Sequence, residues 1–376
     1  MKLRSLAVVA VAATVLTGAA VAAAAVTIPA ATKKAPASAD AQAAVNEPAA
    51  AAAPEAADAP APAASAARAP AAAAGEVLYD TVAPATSYRA PQKGAAFAVY
   101  PLAAVTINVV AGQRTYVSGV LAFSSTNLGS IVDASVQCGN GPRNAGKVVH
   151  GENVGTNYQR STTITARLLA TSTARGTLVC RLYAYAHSLG TPATRFSITS
   201  GHLEVGRRSV PNGVQVVSGQ QLAKAGHAVW TPRVTGNASV RGVSNLWRLP
   251  AGTKNLNVFA DQSITVCKTS GDGKYGCPGG TRGSSAAVRT TLIATQFTST
   301  GAVCQTRTYP VSRTVSTALH HVVFYHNIPN VAVRTTGGCV PVFSIYLKTE
   351  VRSGQAVVTN KAAPTGEMGV LFVLPS

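Results

Sequence analysis

Three histidines stand close together in Leu319-His320-His321-Val322-Val323-Phe324-Tyr325-His326, the only local cluster of metal-capable nitrogens in the chain. Imidazoles ligate transition metals and move protons near neutral pH. On a strand, His320 and His326 share a face but lie about 20 Å apart, because each residue rises about 3.3 Å. That span is too long for one ion. The three are therefore expected to contact a partner, and no metal or other cofactor is expected. A second stretch, Gly271-Asp272-Gly273-Lys274-Tyr275-Gly276, has G-x-G-x-x-G spacing. No strand–helix unit frames it, and it lacks the alternating acids and final Glu of a calcium loop. It reads as a protruding turn that offers Lys274 and Tyr275. The candidate contacts are thus Lys274, Tyr275, His320, His321 and His326. Trp230 and Trp247 would join them if exposed, since aromatic faces stack on sugars or bases; otherwise they pack in the core.

Catalytic patterns are scarce. Residues 76–376 hold 9 acids, and a glycosidase needs two of them converging on one bond. Asp133 and Asp261 fall at matched places in an internal repeat, as do Glu204 and Glu350, which suits turns or Arg partners. There is no G-x-S-x-G and no H-E-x-x-H. Gly141 to Gly146-Lys147 has phosphate-loop spacing, but Val148 stands where Ser or Thr would hold magnesium. The chain reads as non-enzymatic, with a secreted hydrolase using a site in its second domain as the alternative.

The six cysteines are Cys138, Cys180, Cys267, Cys277, Cys304 and Cys339. Behind an export signal they imply three disulfides. The repeat suggests Cys138–Cys180, Cys267–Cys304 and Cys277–Cys339. A local scheme, Cys267–Cys277 with Cys304–Cys339, is the other arrangement. Closing the Cys138–Cys180 loop would stabilise the fold by about 4 kcal/mol in a chain-entropy account.

Elements must position these groups. Residues 1–27 combine Lys2 and Arg4 with an Ala/Val-rich apolar run and small residues suited to cleavage, the make-up of a signal peptide. Contact with a membrane is expected only through this segment if it is not cleaved. Residues 28–75 are Ala and Pro with few charges and read as a disordered spacer. From residue 76 short runs of Val, Ile, Thr, Tyr and Phe alternate with Gly, Asn and Pro, which indicates an all-β sandwich. The nearest approach to a helix is the segment 218–228.

Five landmarks recur in order. Ala98-Val99-Tyr100 matches Ala228-Val229-Trp230, and Ala111-Gly112 matches Ala251-Gly252. The run 133–138 resembles 261–267. Leu168-Leu169-Ala170-Thr171 with Cys180 and Tyr185 matches Leu292-Ile293-Ala294-Thr295 with Cys304 and Tyr309. Phe196-Ser197-Ile198 resembles Phe343-Ser344-Ile345. The expectation is two tandem, homologous, disulfide-stapled β-sandwich domains, 76–208 and 209–376. The second would carry insertions between Tyr309 and Phe343 and around Cys277. Residues 163–185 and 288–309 should be equivalent hairpins. Ile164, Ala166, Leu168 and Ala170 should face the core, with Thr165 and Arg167 in solvent.

The net charge is +19, and residues 76–376 hold 27 Lys and Arg. Such a surface attracts polyanions. Together these features suggest a secreted protein, or one on the extracellular face of the cell envelope, that recognises an anionic cell-wall polymer or an extracellular protein. Nucleic acid is not an expected partner in vivo. A structural or assembly subunit of the cell surface is the remaining alternative.

Overall fold

β-Branched and aromatic residues fit a pleated, half-buried surface, and the computed structural model turns almost every such run into a strand. It describes residues 77–268, 277, 285–316, 321–360 and 369–376, and no helix occurs among them. The segment 218–228 therefore corrects to a short strand and turns.

The first half contributes β1 (Val77–Val82), β2 (Ala85–Ala90), β3 (Ala98–Val109), β4 (Arg114–Ser124), β5 (Ser130–Asn140), β6 (Arg143–Val154), β7 (Ser161–Thr171), β8 (Gly176–Ser188) and β9 (Thr194–Gly206). One sheet runs β1-β9-β4-β7, with β2 also on β9; the other runs β3-β8-β5-β6. The second half contributes β10 (Val214–Val217), β11 (Gln221–Ala223), β12 (Arg233–Val234), β13 (Ala238–Val240), β14 (Val243–Arg248), β15 (Asn255–Val266), β16 (Ser285–Thr298), β17 (Val303–Ser316), β18 (His321–Ala332), β19 (Cys339–Gly354), β20 (Val357–Thr359) and β21 (Gly369–Pro375). Here β10-β21-β15 continues to β18, with β20 on β15 and β11 on β20. The facing sheet is β13-β14-β19-β16-β17, with β12 on β19.

Both halves have the wiring of a jelly roll. Strand by strand, β4 answers to β15, β5 to β16, β6 to β17, β7 to β18 and β8 to β19. The last strand, β9, answers to β20 with β21, and each half lays two short strands along it. No described strand pairs across the joint between Gly206 and Val214.

This correspondence moves several of the matches read from sequence. The first two hold their places: Val99 pairs with Tyr185 and Val229 bridges to Thr349, both on the β8/β19 position, and Gly112 and Gly252 both turn with positive φ. The later ones slip. Asp133 is on β5 but Asp261 is on β15, the counterpart of β4. Leu168 is on β7 but Leu292 is on β16, the counterpart of β5. Strands of similar length and Val/Thr/Ala alternation resemble one another, and a period of two encodes a face rather than a place in the sheet. The equivalent-hairpin expectation fails for the same reason. β16 and β17 do form a hairpin, but β7 and β8 lie in different sheets. The supposed insertion after Tyr309 contains β18, a regular strand of the jelly roll.

The disulfides follow this geometry. Cys138 and Cys180 face each other on the adjacent strands β5 and β8. The other two bonds are Cys267–Cys277 and Cys304–Cys339, so the Cys267–Cys304 and Cys277–Cys339 pairing is corrected. Cys267 follows β15 and Cys304 lies on β17, in opposite sheets of one sandwich, while Cys339 pairs across β16 at the hairpin end where Cys304 sits. Three disulfides and no free cysteine are compatible with an extracellular, oxidising compartment.

Ile164, Ala166, Leu168 and Ala170 face the first core as alternation requires. Thr165 and Arg167 do not face solvent; both are buried. Their face of β4 and β7 packs on the outer face of β15, β18 and β21. Tyr116 lies 6.1 Å from Phe259 and 6.2 Å from Phe372 between ring centroids. The Leu169 amide donates to Gln215 Oε1 at 2.6 Å. The four sheets thus stack as layers, with β3-β8-β5-β6 and β14-β19-β16-β17 outermost.

Candidate functional site

Two places concentrate polar chemistry. The first is the junction between the inner sheets. Arg167, 2% exposed, grips Asp261, 0% exposed, with both Nε and Nη2. The Nε–Oδ2 distance is 2.8 Å. Its guanidinium carbon also lies 5.2 Å from the Phe259 ring centre. Burial alone would favour a neutral Arg167, but the Asp261 carboxylate offsets this and its pKa lies above the usual guanidinium value. The Thr165 amide donates to Tyr325 Oη at 2.8 Å. Across the same junction Glu152 Oε1 accepts the Val323 amide at 3.0 Å. A planar, bidentate Arg–carboxylate pair fixes register as well as attraction.

Ser263, His150 and Asp261 meet here in an order that resembles a nucleophile, base and orienting acid. His150 Nδ1 is 3.2 Å from Ser263 Oγ, and its Nε2 is 3.9 Å from Asp261 Oδ2. The second distance exceeds a hydrogen bond, and the carboxylate is committed to Arg167. All three side chains are buried. Burial also lowers the His150 pKa to about 4, so the imidazole is neutral. The three side chains pack within the junction between the inner sheets, beside the Arg167–Asp261 pair.

Of the contacts expected from sequence, only His321 and His326 fall among the described residues. Lys274, Tyr275 and His320 lie outside the described residues. His321 is half-buried and its Nδ1 is 2.9 Å from Thr265 Oγ1 across β15 and β18. His326 is fully buried, with Nε2 2.8 Å from Thr290 Oγ1, and burial lowers its pKa to about 4. It corrects from a surface contact to a core histidine, because alternation along β18 turns it into the second sandwich.

The second place is the outer face of β14-β19-β16-β17. Trp230 is 51% exposed, and its ring lies 5.6 Å from that of Tyr346. Lys348 Nζ is 4.8 Å from the Trp230 ring centre, and the Arg233 guanidinium is 5.8 Å from that of Tyr346. Lys348 and Arg352 both pair with Glu350, at 2.7 and 3.2 Å, and the Lys348 hydrogen bond lowers the Glu350 pKa. Arg289 stands opposite Glu350 on β16. The face thus carries four cations, Arg233, Arg289, Lys348 and Arg352, against one acid, around two aromatic rings. Tyr346, Lys348, Glu350 and Arg352 fall on one side of β19 by alternation, a signal present in the sequence. Only the fold adds Trp230 and Arg233 to them. Trp247 is half-buried against the second core.

No family model matches the chain, and no curated protein sequence matches it. Among solved structures, the N-terminal CBM22-1–CBM22-2 tandem domain of Paenibacillus barcinonensis Xyn10C is similar over 78% of this chain and 98% of that chain, at 10% identity and a TM-score of 0.23. PNGase F, a glycosylasparaginase from Flavobacterium meningosepticum, covers 80% of this chain and 96% of its own at 12% identity and a TM-score of 0.30. The STIV MCP covers 80% and 98% at 9% identity and a TM-score of 0.24. At these scores the likenesses carry no argument about ligand or activity.

Proposed function

We propose that this chain is an exported, non-enzymatic recognition protein that binds an anionic polymer of the cell envelope through the Trp230 face. The observation that carries the reading is the half-exposed Trp230 ring, set beside Tyr346 and ringed by Lys348 and Arg233 on an outermost sheet. Such a surface offers an aromatic platform for a sugar ring and cations for its acidic groups. The basic start and apolar run of residues 1–27 support export, and the Ala/Pro-rich residues 28–75 would act as a spacer from the envelope. Arg167 and Asp261 hold the two jelly rolls as one body, so the platform is presented on a rigid support.

Affinity electrophoresis through gels containing polygalacturonate, against hydroxyethylcellulose gels, tests the reading. Retention by the acidic polymer should weaken steadily with added salt, and Trp230→Ala should weaken it about tenfold, or about 1.4 kcal/mol, without lowering the melting temperature. Salt-independent retention, or none, would sink it.

A further inference from the structure

The opposite outermost sheet carries polar groups that the Trp230 face leaves unexplained. On the outer face of β6, β5 and β8, Gly151, Asp133 and Tyr185 form one cross-strand row. Tyr183 sits in the next row, and Asn153 is one row the other way, on β6. Asp133 is 7% exposed and makes no hydrogen bond or ion pair with a described residue. Asn153 is 1% exposed, and neither its Nδ2 nor its Oδ1 has a partner. Buried polar groups are nearly always satisfied, so the orphaned Asn153 amide, on the same face as a carboxyl with no partner among the described residues, calls for something that satisfies it. Gly151 makes the arrangement possible. A Cβ there would overlap Asp133 Oδ1, so only glycine lets the carboxyl lean across β6.

The surroundings indicate the chemistry of the missing partner. The Tyr183 and Tyr185 rings lie 6.3 Å apart, and Lys147 Nζ is 6.0 Å from the Tyr185 ring centre. Gln137 Nε2 donates to Tyr185 Oη at 2.7 Å, which fixes that ring. An amide that can donate and accept, beside a carboxyl that accepts, suits a polyhydroxyl ligand. Tyrosine rings suit the C–H face of a pyranose. An acidic ligand would meet Asp133, and an extended peptide would pair with a sheet edge rather than lie on a face.

We infer that the β6-β5-β8 face is a second binding site, for a neutral sugar chain, with Asp133 and Asn153 hydrogen-bonding its hydroxyls and Tyr183 stacking on a ring, while the buried Tyr185 packs beside Tyr183 as support. It lies on the other outer layer from the Trp230 platform and takes a ligand of different charge, so it stands independently of that reading. The protein would then hold two different polymers on its two outer faces.

The full chain should be applied to an immobilised array of neutral and acidic glycans at low salt and at about 0.5 M NaCl, where the Debye length falls to about 4 Å. Neutral glycans should be retained at both salts. Tyr183→Ala and Asn153→Ala should each weaken that retention about tenfold, while Trp230→Ala leaves it unchanged. Tyr183 is half-exposed, so its variant should keep the parent melting temperature and decides the matter if the Asn153 variant misfolds. Absence of neutral-glycan retention overturns the proposal, as does its loss in Trp230→Ala alone or its insensitivity to Tyr183→Ala. Loss of acidic-glycan binding with neutral binding intact would instead count against the Trp230 platform only.

Discussion

Replacing Arg167 by alanine should destabilise the protein by about 3–5 kcal/mol, the range for stranding one member of a buried ion pair. The reason is geometric. Asp261 has no exposure, and its carboxylate is met by two guanidinium nitrogens of a residue that is itself 2% exposed. Without Arg167 the nearest cationic candidate is His150, whose Nε2 is 3.9 Å away and whose pKa of about 4 keeps it neutral. The variant also gives up the 5.2 Å guanidinium contact with Phe259. Arg167→Lys should recover only part of the loss, because an ammonium cannot make the bidentate contact. By contrast, Arg167→Met with Asp261→Leu should return to within roughly 1 kcal/mol of the parent, since a buried pair repays little beyond its own desolvation. Urea unfolding of these variants, with Arg167→Met and Asp261→Leu as the two singles that complete the double-mutant cycle, measures the coupling. A single Arg167→Ala effect below about 1 kcal/mol, or a double variant as unstable as the single, would refute the assignment of this pair as the lock between the jelly rolls.

Acid should weaken the fold before it titrates ordinary carboxylates. His150 and His326 are held at about pKa 4, so the unfolded chain takes up their protons first as pH falls below about 6.5; this stability is present above that pH and is lost toward 4. Asp133, pushed by burial up to about 7, works in the other sense, its contribution being present at low pH and lost as pH rises to 7. The three together leave the protein about 2 kcal/mol less stable at about pH 4.5 than at about 6.5, and Asp133→Asn should steepen that slope in denaturant titrations. Non-reducing peptide mapping should recover Cys138–Cys180, Cys267–Cys277 and Cys304–Cys339; a Cys267–Cys304 peptide would contradict the sheet assignment. Substituting Cys304 and Cys339 together should lower stability by about 2–4 kcal/mol on unfolding while leaving the Trp230 face assembled, which the polygalacturonate gel would show.

Much of this was readable before any coordinates. Alternation told strand from loop and core face from outer face along 164–170, and Gly112 and Gly252 marked the same turn in both halves. What slipped was which strand answered to which, and the cysteine pairing slipped with it. The two binding faces were legible only in part. Tyr346, Lys348 and Glu350 share one side of a strand by spacing alone, as do Tyr183 and Tyr185, but nothing in the spacing brings Trp230 across to Tyr346.

The sequence by itself determined that this protein is all-β, doubled, basic and without an evident catalytic pattern, because composition and a period of two act locally on every strand. Tertiary structure alone decided that Arg167 points into a junction rather than into water. A strand's outer face is solvent-facing only until another sheet is laid over it, and partners 94 residues apart are joined by packing that no local pattern encodes.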